Sequence, residues 1–304
     1  MILWPNPYTL TTIAGVLVML CSIATQTELV SDRYVAGYEV SHPELCPAFG
    51  SELELIIFVT TVPSHFKERQ AIRMTWGATW KFENVSFAFY IGTPPNESRS
   101  LILEENVAHG DIIIARFIDT YDNLTLKSLS MLEWINTHCP LVPRMLKTDD
   151  DMFINVPKLL HFIRQTIQKN KTNTIWGQLS KRNLPDRYNK TKYFVTYKEY
   201  PEKLYPRFLT GPAYLLSTDV TRDLFTTAAN EPYFKIEDVF ITGILAEKLK
   251  IKRIHINEFH NSKLRGEVCR LLDQISVHGF TSTELLKTWN KLQASDCPSE
   301  KTSD

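Results

Sequence analysis

The sequence predicts an α/β protein built on a central, mostly parallel sheet with helices on both faces. Three observations lead there. Short apolar runs rich in Val, Ile and Phe alternate with stretches whose apolar residues recur at helical spacing. Proline, glycine and asparagine punctuate the joins between them. An acidic triplet, Asp149-Asp150-Asp151, follows directly on one apolar run, and in open α/β sheets ligands collect beyond such strand ends.

The elements follow in order. Leu53 to Val62 (LELIIFVTTV) reads as a strand stopped by Pro63, with Ser64 placed to cap a helix that runs to Trp76. Ser86 to Ile91 is a second strand; after the turn GTPPN a helix runs to His109, with Gly110 as its stop. Asp111 to Phe117 is a third strand, and Leu124 to Asn136 has helical period. Pro143 to Lys147 is a short fourth strand ending at the triplet, and Val156-Pro157 opens a helix through Ile167. From Thr174 the pattern is less regular. TIWGQL, KYFVTY and PRFLTGPAYLLS are strand candidates, followed by helices after Thr218 and from Glu237. No repeat or glycine-rich linker divides the chain, so one domain is expected, its second half completing the pocket.

Lys+Arg and Asp+Glu both number 34 in 304 residues. No global field therefore favours nucleic acid, and electrostatic function must be local. The first charged residue is Glu28, and the apolar run TLTTIAGVLVMLCSIAT before it has about the 17 residues that can just cross a bilayer. Ser22-Ile23-Ala24 resembles a cleavage site, but the run is read as an uncleaved membrane anchor. Sequons at Asn84, Asn96, Asn123, Asn170 and Asn189 point to export and glycosylation. Cys46, Cys139, Cys269 and Cys297 can form two disulfides in any of three pairings, and their spacing is not that of a zinc site. The expected organisation is a stub and signal-anchor helix over 1–27, a polar stem over 28–50, a folded domain over 51–297 and a tail over 298–304.

In an extended backbone Asp149 and Asp151 share one side and Asp150 the other. Two converging carboxylates repel unless a cation neutralises them, and oxygen ligation suits Mn²⁺ or Mg²⁺. The plainer reading is a helix N-terminal acid cluster, which the delay from the triplet to Pro157 makes awkward. A DxDx[TV] phosphatase is set aside because Phe153 stands where that pattern needs Thr or Val.

Taken with ERQAIRMTWG, FIDTYDNLTLKSL and IEDVFITG, the stretch KTDDDMFIN resembles the β1,3-glycosyltransferase family of β1,3-galactosyltransferases and β1,3-N-acetylglucosaminyltransferases. The likeness spans about Leu55 to Leu292 and is closest to the galactosyltransferases. It implies a GT-A type nucleotide-sugar-binding fold and a single-pass type II Golgi membrane protein with a lumenal catalytic domain. It also implies inverting transfer from a UDP-sugar, UDP-galactose or UDP-GlcNAc, with Mn²⁺ (or Mg²⁺), to a glycan on a glycoprotein or glycolipid. Its motifs place Asp238 as catalytic base; Asp149, Asp151 and His278 at the metal; Asp150 at donor sugar or ribose; and Glu237 at acceptor or donor hydroxyls, while Gly211 can let the backbone approach the sugar closely. Arg69 and Arg73, four apart on one helix face, suit phosphate or uridine oxygens, with Trp76 beside them. A helix N-terminus is expected to lower the pKa of Asp238. Around Gly211 the chain departs from the family pattern, and Pro212 removes an N–H donor there. A catalytically silent glycan-binding protein is the competing reading; it has no need of both a metal pair and a base.

Overall fold

The computed structural model describes residues 28–78, 84–169, 171–188, 191–264, 268–295 and 297. The expected anchor, the tail and the sequons at Asn170 and Asn189 lie outside these residues. Among the described residues no helix is long and apolar enough to cross a membrane.

Eleven strands occur among them: β1 (Tyr38–Val40), β2 (Leu55–Thr60), β3 (Val85–Thr93), β4 (Ile112–Ile118), β5 (Arg144–Asp149), β6 (Met152–Ile154), β7 (Thr174–Leu179), β8 (Leu209–Ser217), β9 (Lys252–His255), β10 (Phe259–His260) and β11 (Ser276–His278). Eight of them form one sheet in the order β1-β4-β3-β2-β5-β8-β7-β9, and β10-β11-β6 form a small second sheet. The block β4-β3-β2-β5 is parallel, as expected. Beyond it the sheet is mixed: β8 runs antiparallel to both β5 and β7. Among the described residues no helix lies between β7 and β8, and such a return brings the next strand back antiparallel.

Alternation along β2 divides the core. Ile56 and Phe58 face one side, where Phe58 meets Trp134 and Tyr90 edge to face at 5.3 and 5.4 Å between ring centres. Leu55, Ile57 and Val59 face the other, with Ile72, Leu160 and Ile163. Both faces are covered, which is why β2 reads as a continuous apolar run. The principal helices are α1 (Val30–Arg33), α2 (Phe66–Arg73), α3 (Asn96–His109), α4 (Leu124–His138), α5 (Val156–Gln168) and α6 (Thr221–Ala228). A π-helix over Val239–Leu245 then runs into α7 (Ala246–Lys248), and α8 (Ser282–Ala294) closes the domain. Gly110 ends α3 at φ +65, and Asn155 caps α5 by accepting from Lys158 N at 3.1 Å.

Two expectations are corrected. The segment 28–50 is not a free stem but part of the domain. Val30 is buried, its N–H donates to Glu231 O at 2.9 Å, β1 pairs with β4, and Cys46 is bonded to Cys139. The segment is too short to show a period of its own, because it completes an edge that other residues build. KYFVTY forms no strand; Phe194 makes one isolated bridge to Asp186 within the loop before β8. The second disulfide joins Cys269 to Cys297.

Candidate active site

The three aspartates stand where β5 gives way to a turn, and each has its own side-chain partners. Asp149 Oδ1 accepts from Thr60 Oγ1 at 2.5 Å and pairs with Lys147 Nζ at 2.6 Å. Asp150 Oδ2 accepts from Thr61 Oγ1 at 2.6 Å and meets His65 Nδ1 at 2.7 Å, a bond that raises the His65 pKa. Asp151 Oδ2 lies 3.0 Å from His278 Nε2 on β11, and its backbone oxygen accepts from Gly279 and Phe280. That carboxylate raises the pKa of His278.

The reason given for pairing Asp149 with Asp151 is corrected, although the charge of Asp149 still acts on His278, the partner of Asp151. Alternation holds only in extended backbone, and the strand ends at Asp149. Asp149 is neutralised by Lys147 instead, and among the described residues no three His, Cys, Asp or Glu side chains gather as a metal site. Asp151 and His278 are in direct contact, and Asp149 is near enough for its charge to raise the His278 pKa as well. Asp151 Oδ1 is buried and has no hydrogen-bond partner. A buried carboxylate oxygen without a donor is costly, and a divalent cation relieves it; one carboxylate and one imidazole suit Mn²⁺. The residues present fit such an ion.

Asp238 caps the π-helix, a helix type frequent at functional sites. Its Oδ1 accepts from Val239 N and its Oδ2 from Gly211 N, both at 2.9 Å. Burial and the neighbouring charge of Glu237 push its pKa up to about 7, against those two N–H donors and Lys147, which pull it down. The lowered pKa expected from the helix end is therefore overturned, because desolvation outweighs the local dipole. Asp238 and His278 line one cleft of about 460 Å³, together with Gln178, Tyr193, Gly211 and Asn261.

Gly211 owes its place to a break in the sheet. β7 and β8 slip register between Gly177 and Leu179, and the pairing of β5 with β8 runs only as far as Ala213. Thr210 to Pro212 thus leave the ladder, where the missing N–H of Pro212 costs nothing. A Cβ on Gly211 would stand 3.4 Å from Asp238 Oδ2, at ordinary contact distance, so the Gly211 backbone lies directly against the carboxylate.

Four sequence-derived roles are corrected by burial. Arg69 is 0% exposed, and its guanidinium donates to Glu105 and to the carbonyls of Val62 and Pro63. Arg73 forks onto Asp111 at 2.7 Å through two nitrogens and reaches Glu105 at 2.7 Å. Neither is free to grip a phosphate; shared helix spacing brought them to two acids, buried Asp111 and half-buried Glu105, rather than to a ligand. Trp76 is buried, and its indole N–H donates to Met152 O at 2.8 Å. Glu237 lies beneath the cleft, not in it, accepting from Ser128 Oγ at 2.7 Å and Tyr214 Oη at 2.6 Å. Of the described sequons, Asn96 is exposed at the start of α3, and Asn84 donates to Glu54. Asn123 donates to Ile118 O at 2.8 Å.

Sequence reasoning missed Lys147, the cation that neutralises Asp149. The signal was present: Lys147 and Asp149 are two apart on one strand and so share a side. It missed Thr60, Thr61 and His65 because only strand pairing brings the end of β2 beside the triplet.

A mixed α/β sheet with acids at a strand end, and a cleft lined by Asp238 and His278, is the arrangement in which such folds bind ligands at the sheet's carboxyl edge. The galactosyltransferase family profile matches residues 67–257. Over 246 residues the chain is 35% identical to beta-1,3-galactosyltransferase 5 of Pan paniscus, covering 79% of this chain and 80% of that protein. It is 34% identical over 245 residues to UDP-GalNAc:beta-1,3-N-acetylgalactosaminyltransferase 1 of Homo sapiens, covering 77% and 73%. Among solved structures, a glycosyltransferase involved in glycosylation of the major capsid of PBCV-1 aligns with a TM-score of 0.43 and 11% identity, over 78% of this chain and 98% of that one. The chain belongs to the galactosyltransferase family. It is a galactosyltransferase-like hexosyltransferase, with a nucleotide-sugar donor and a glycan acceptor.

Proposed function

We propose that the chain transfers galactose from UDP-galactose to a GlcNAc- or GalNAc-ended glycan, forming a β1,3 bond with inversion on a GT-A type fold. The observation that carries this reading is the shared cleft: Asp238, with a pKa of about 7, and His278, paired with Asp151, line one cavity. Asp238 is the base. Above its pKa it is ionised and takes the proton from the acceptor hydroxyl as that oxygen attacks the sugar. The Gly211 and Val239 N–H groups hold its carboxylate in place. Asp151 and His278 would hold Mn²⁺, or Mg²⁺, with the donor diphosphate completing the shell. When bound, the ion would offset charge on the departing UDP. His65 and Thr61 both hydrogen-bond Asp150 beside the triplet, which supports reading Asp150 as the group that meets ribose or donor sugar. The apolar run before Glu28 supports a type II Golgi membrane protein with this cleft in the lumen.

Purified full chain incubated with UDP-Gal, UDP-GlcNAc or UDP-GalNAc, with and without Mn²⁺, tests the reading against a panel of acceptors. Galactose transfer with a β1,3 linkage by NMR supports it. Preference for UDP-GlcNAc or UDP-GalNAc replaces the donor, and no UDP release with any pair revives a silent glycan-binding role.

A further inference from the structure

We propose that Lys147 is a positioning residue, which ties Asp149 to the base by holding the Gly211 peptide against Asp238 and by supplying the positive charge behind it. The inference rests on Asp238 being the base.

Lys147 is 4% exposed, and a buried ammonium is costly unless its donors are matched. It has three donors. One goes to Asp149 Oδ1 at 2.6 Å and one to Gly211 O at 2.8 Å, while Glu237 Oε2 stands 4.0 Å away. Burial works to lower its pKa, but the charges of Asp149 and Glu237 outweigh it and raise it, so the side chain is a permanent cation. Gly211 completes the connection. Its carbonyl accepts from Lys147 and its N–H donates to Asp238 Oδ2, both out of the ladder because this stretch of β8 has left it. No side chain intervenes. One residue thus links the acid at the end of β5 to the base at the head of the π-helix.

The charge balance gives this geometry a chemical effect. The groups that face Asp238 are Glu237 beside it, Lys147 on β5, Tyr121 before α4, Tyr205 in the loop before β8, Tyr214 on β8 and, around the cleft, Arg182, Asp186, Tyr193 and His278, with Arg182 exposed at its edge. Glu237 and burial favour the protonated form, and the tyrosines carry no positive charge. His278 is engaged by Asp151. Lys147 is the cation that opposes Glu237 at the base, and it does so through the group that positions the base. A residue with only a structural role would affect folding and leave the ionisation of Asp238 where it was.

The full chain carrying Lys147→Met, Lys147→Arg or Asp238→Asn is assayed for kcat and KM from pH 5 to 9, with thermal melts alongside. In the unsubstituted chain kcat/KM rises through the Asp238 ionisation. Lys147→Met is expected to shift that rise to higher pH and to lower kcat about tenfold or more. Its KM values should hardly change. Lys147→Arg keeps the charge and is expected to leave the rise in place. A loss of rate in Lys147→Met with the rise unmoved overturns the inference. Should Lys147→Met not fold, Lys147→Arg decides: an unmoved rise supports the role of the charge, and a shifted one overturns it. Asp238→Asn separates this from the parent reading, because a variant that keeps the full rate and the same rise refutes the base and leaves Lys147 without a partner to position.

Discussion

Asp238 shows at the scale of one residue how position sets chemistry. Its folded pKa of about 7 is above the ordinary carboxylate value of 3.8. Between those two values the folded chain binds the extra proton, so this residue's contribution to stability is greatest at low pH and is lost as pH rises toward 7. Two outcomes follow. Asp238→Asn should lower kcat by about 100-fold or more. The same variant should melt higher than the parent at pH 8, and the difference should shrink toward pH 5. A variant that melts lower at pH 8 would show that the carboxylate's hydrogen bonds outweigh its burial. Asp151 is different: its side chain is 42% exposed, so Asp151→Ala should abolish Mn²⁺-dependent transfer and leave the melting temperature almost unchanged. Both acids were legible in the sequence because their motifs are contiguous. The burial of Glu237 was not, since Ser128 and Tyr214, which enclose it, lie 109 and 23 residues away.

At the scale of elements, helix α2 is tied to α3 and to the start of β4 by a network of buried Arg69 and Asp111 with half-buried Arg73 and Glu105. Removing one partner leaves an uncompensated charge. Arg69→Ala should therefore destabilise the domain by about 3–5 kcal/mol, read from urea melts at pH 7. If the variant instead keeps its stability and raises KM for the donor, the arginine belongs to the nucleotide site after all. Helical spacing correctly placed both guanidinium groups on one face, and it could not say what that face meets. The irregular stretch of β8 has the same lesson. Gly211-Pro212 inside an apolar run signals a departure from regular strand, but its use as a bridge from Lys147 to Asp238 depends on β5 and the π-helix being its neighbours.

Across the whole molecule, the first described residues complete the domain. Trp134 donates to Ser41 O, Tyr34 donates to Glu133 at 2.6 Å, and the disulfide from Cys46 to Cys139 closes a sequence separation of 93 residues. Replacing both of these cysteines by serine should cost about 2–5 kcal/mol, measured as a lower melting temperature under oxidising conditions. An unchanged melt would mean that the packing of residues 28–50 alone holds that edge.

The parallel core, its covering helices and the acids at a strand end follow from local period, punctuation and motif, because each is a property of neighbours in the chain. Which cysteines join, which charges are buried, and which acid faces Lys147 rather than His278 were decided only in three dimensions. Desolvation and pairing are set by atoms from distant segments, so the same Asp, Glu or Arg is a reactive group, a spacer or a buried strut according to what closes over it.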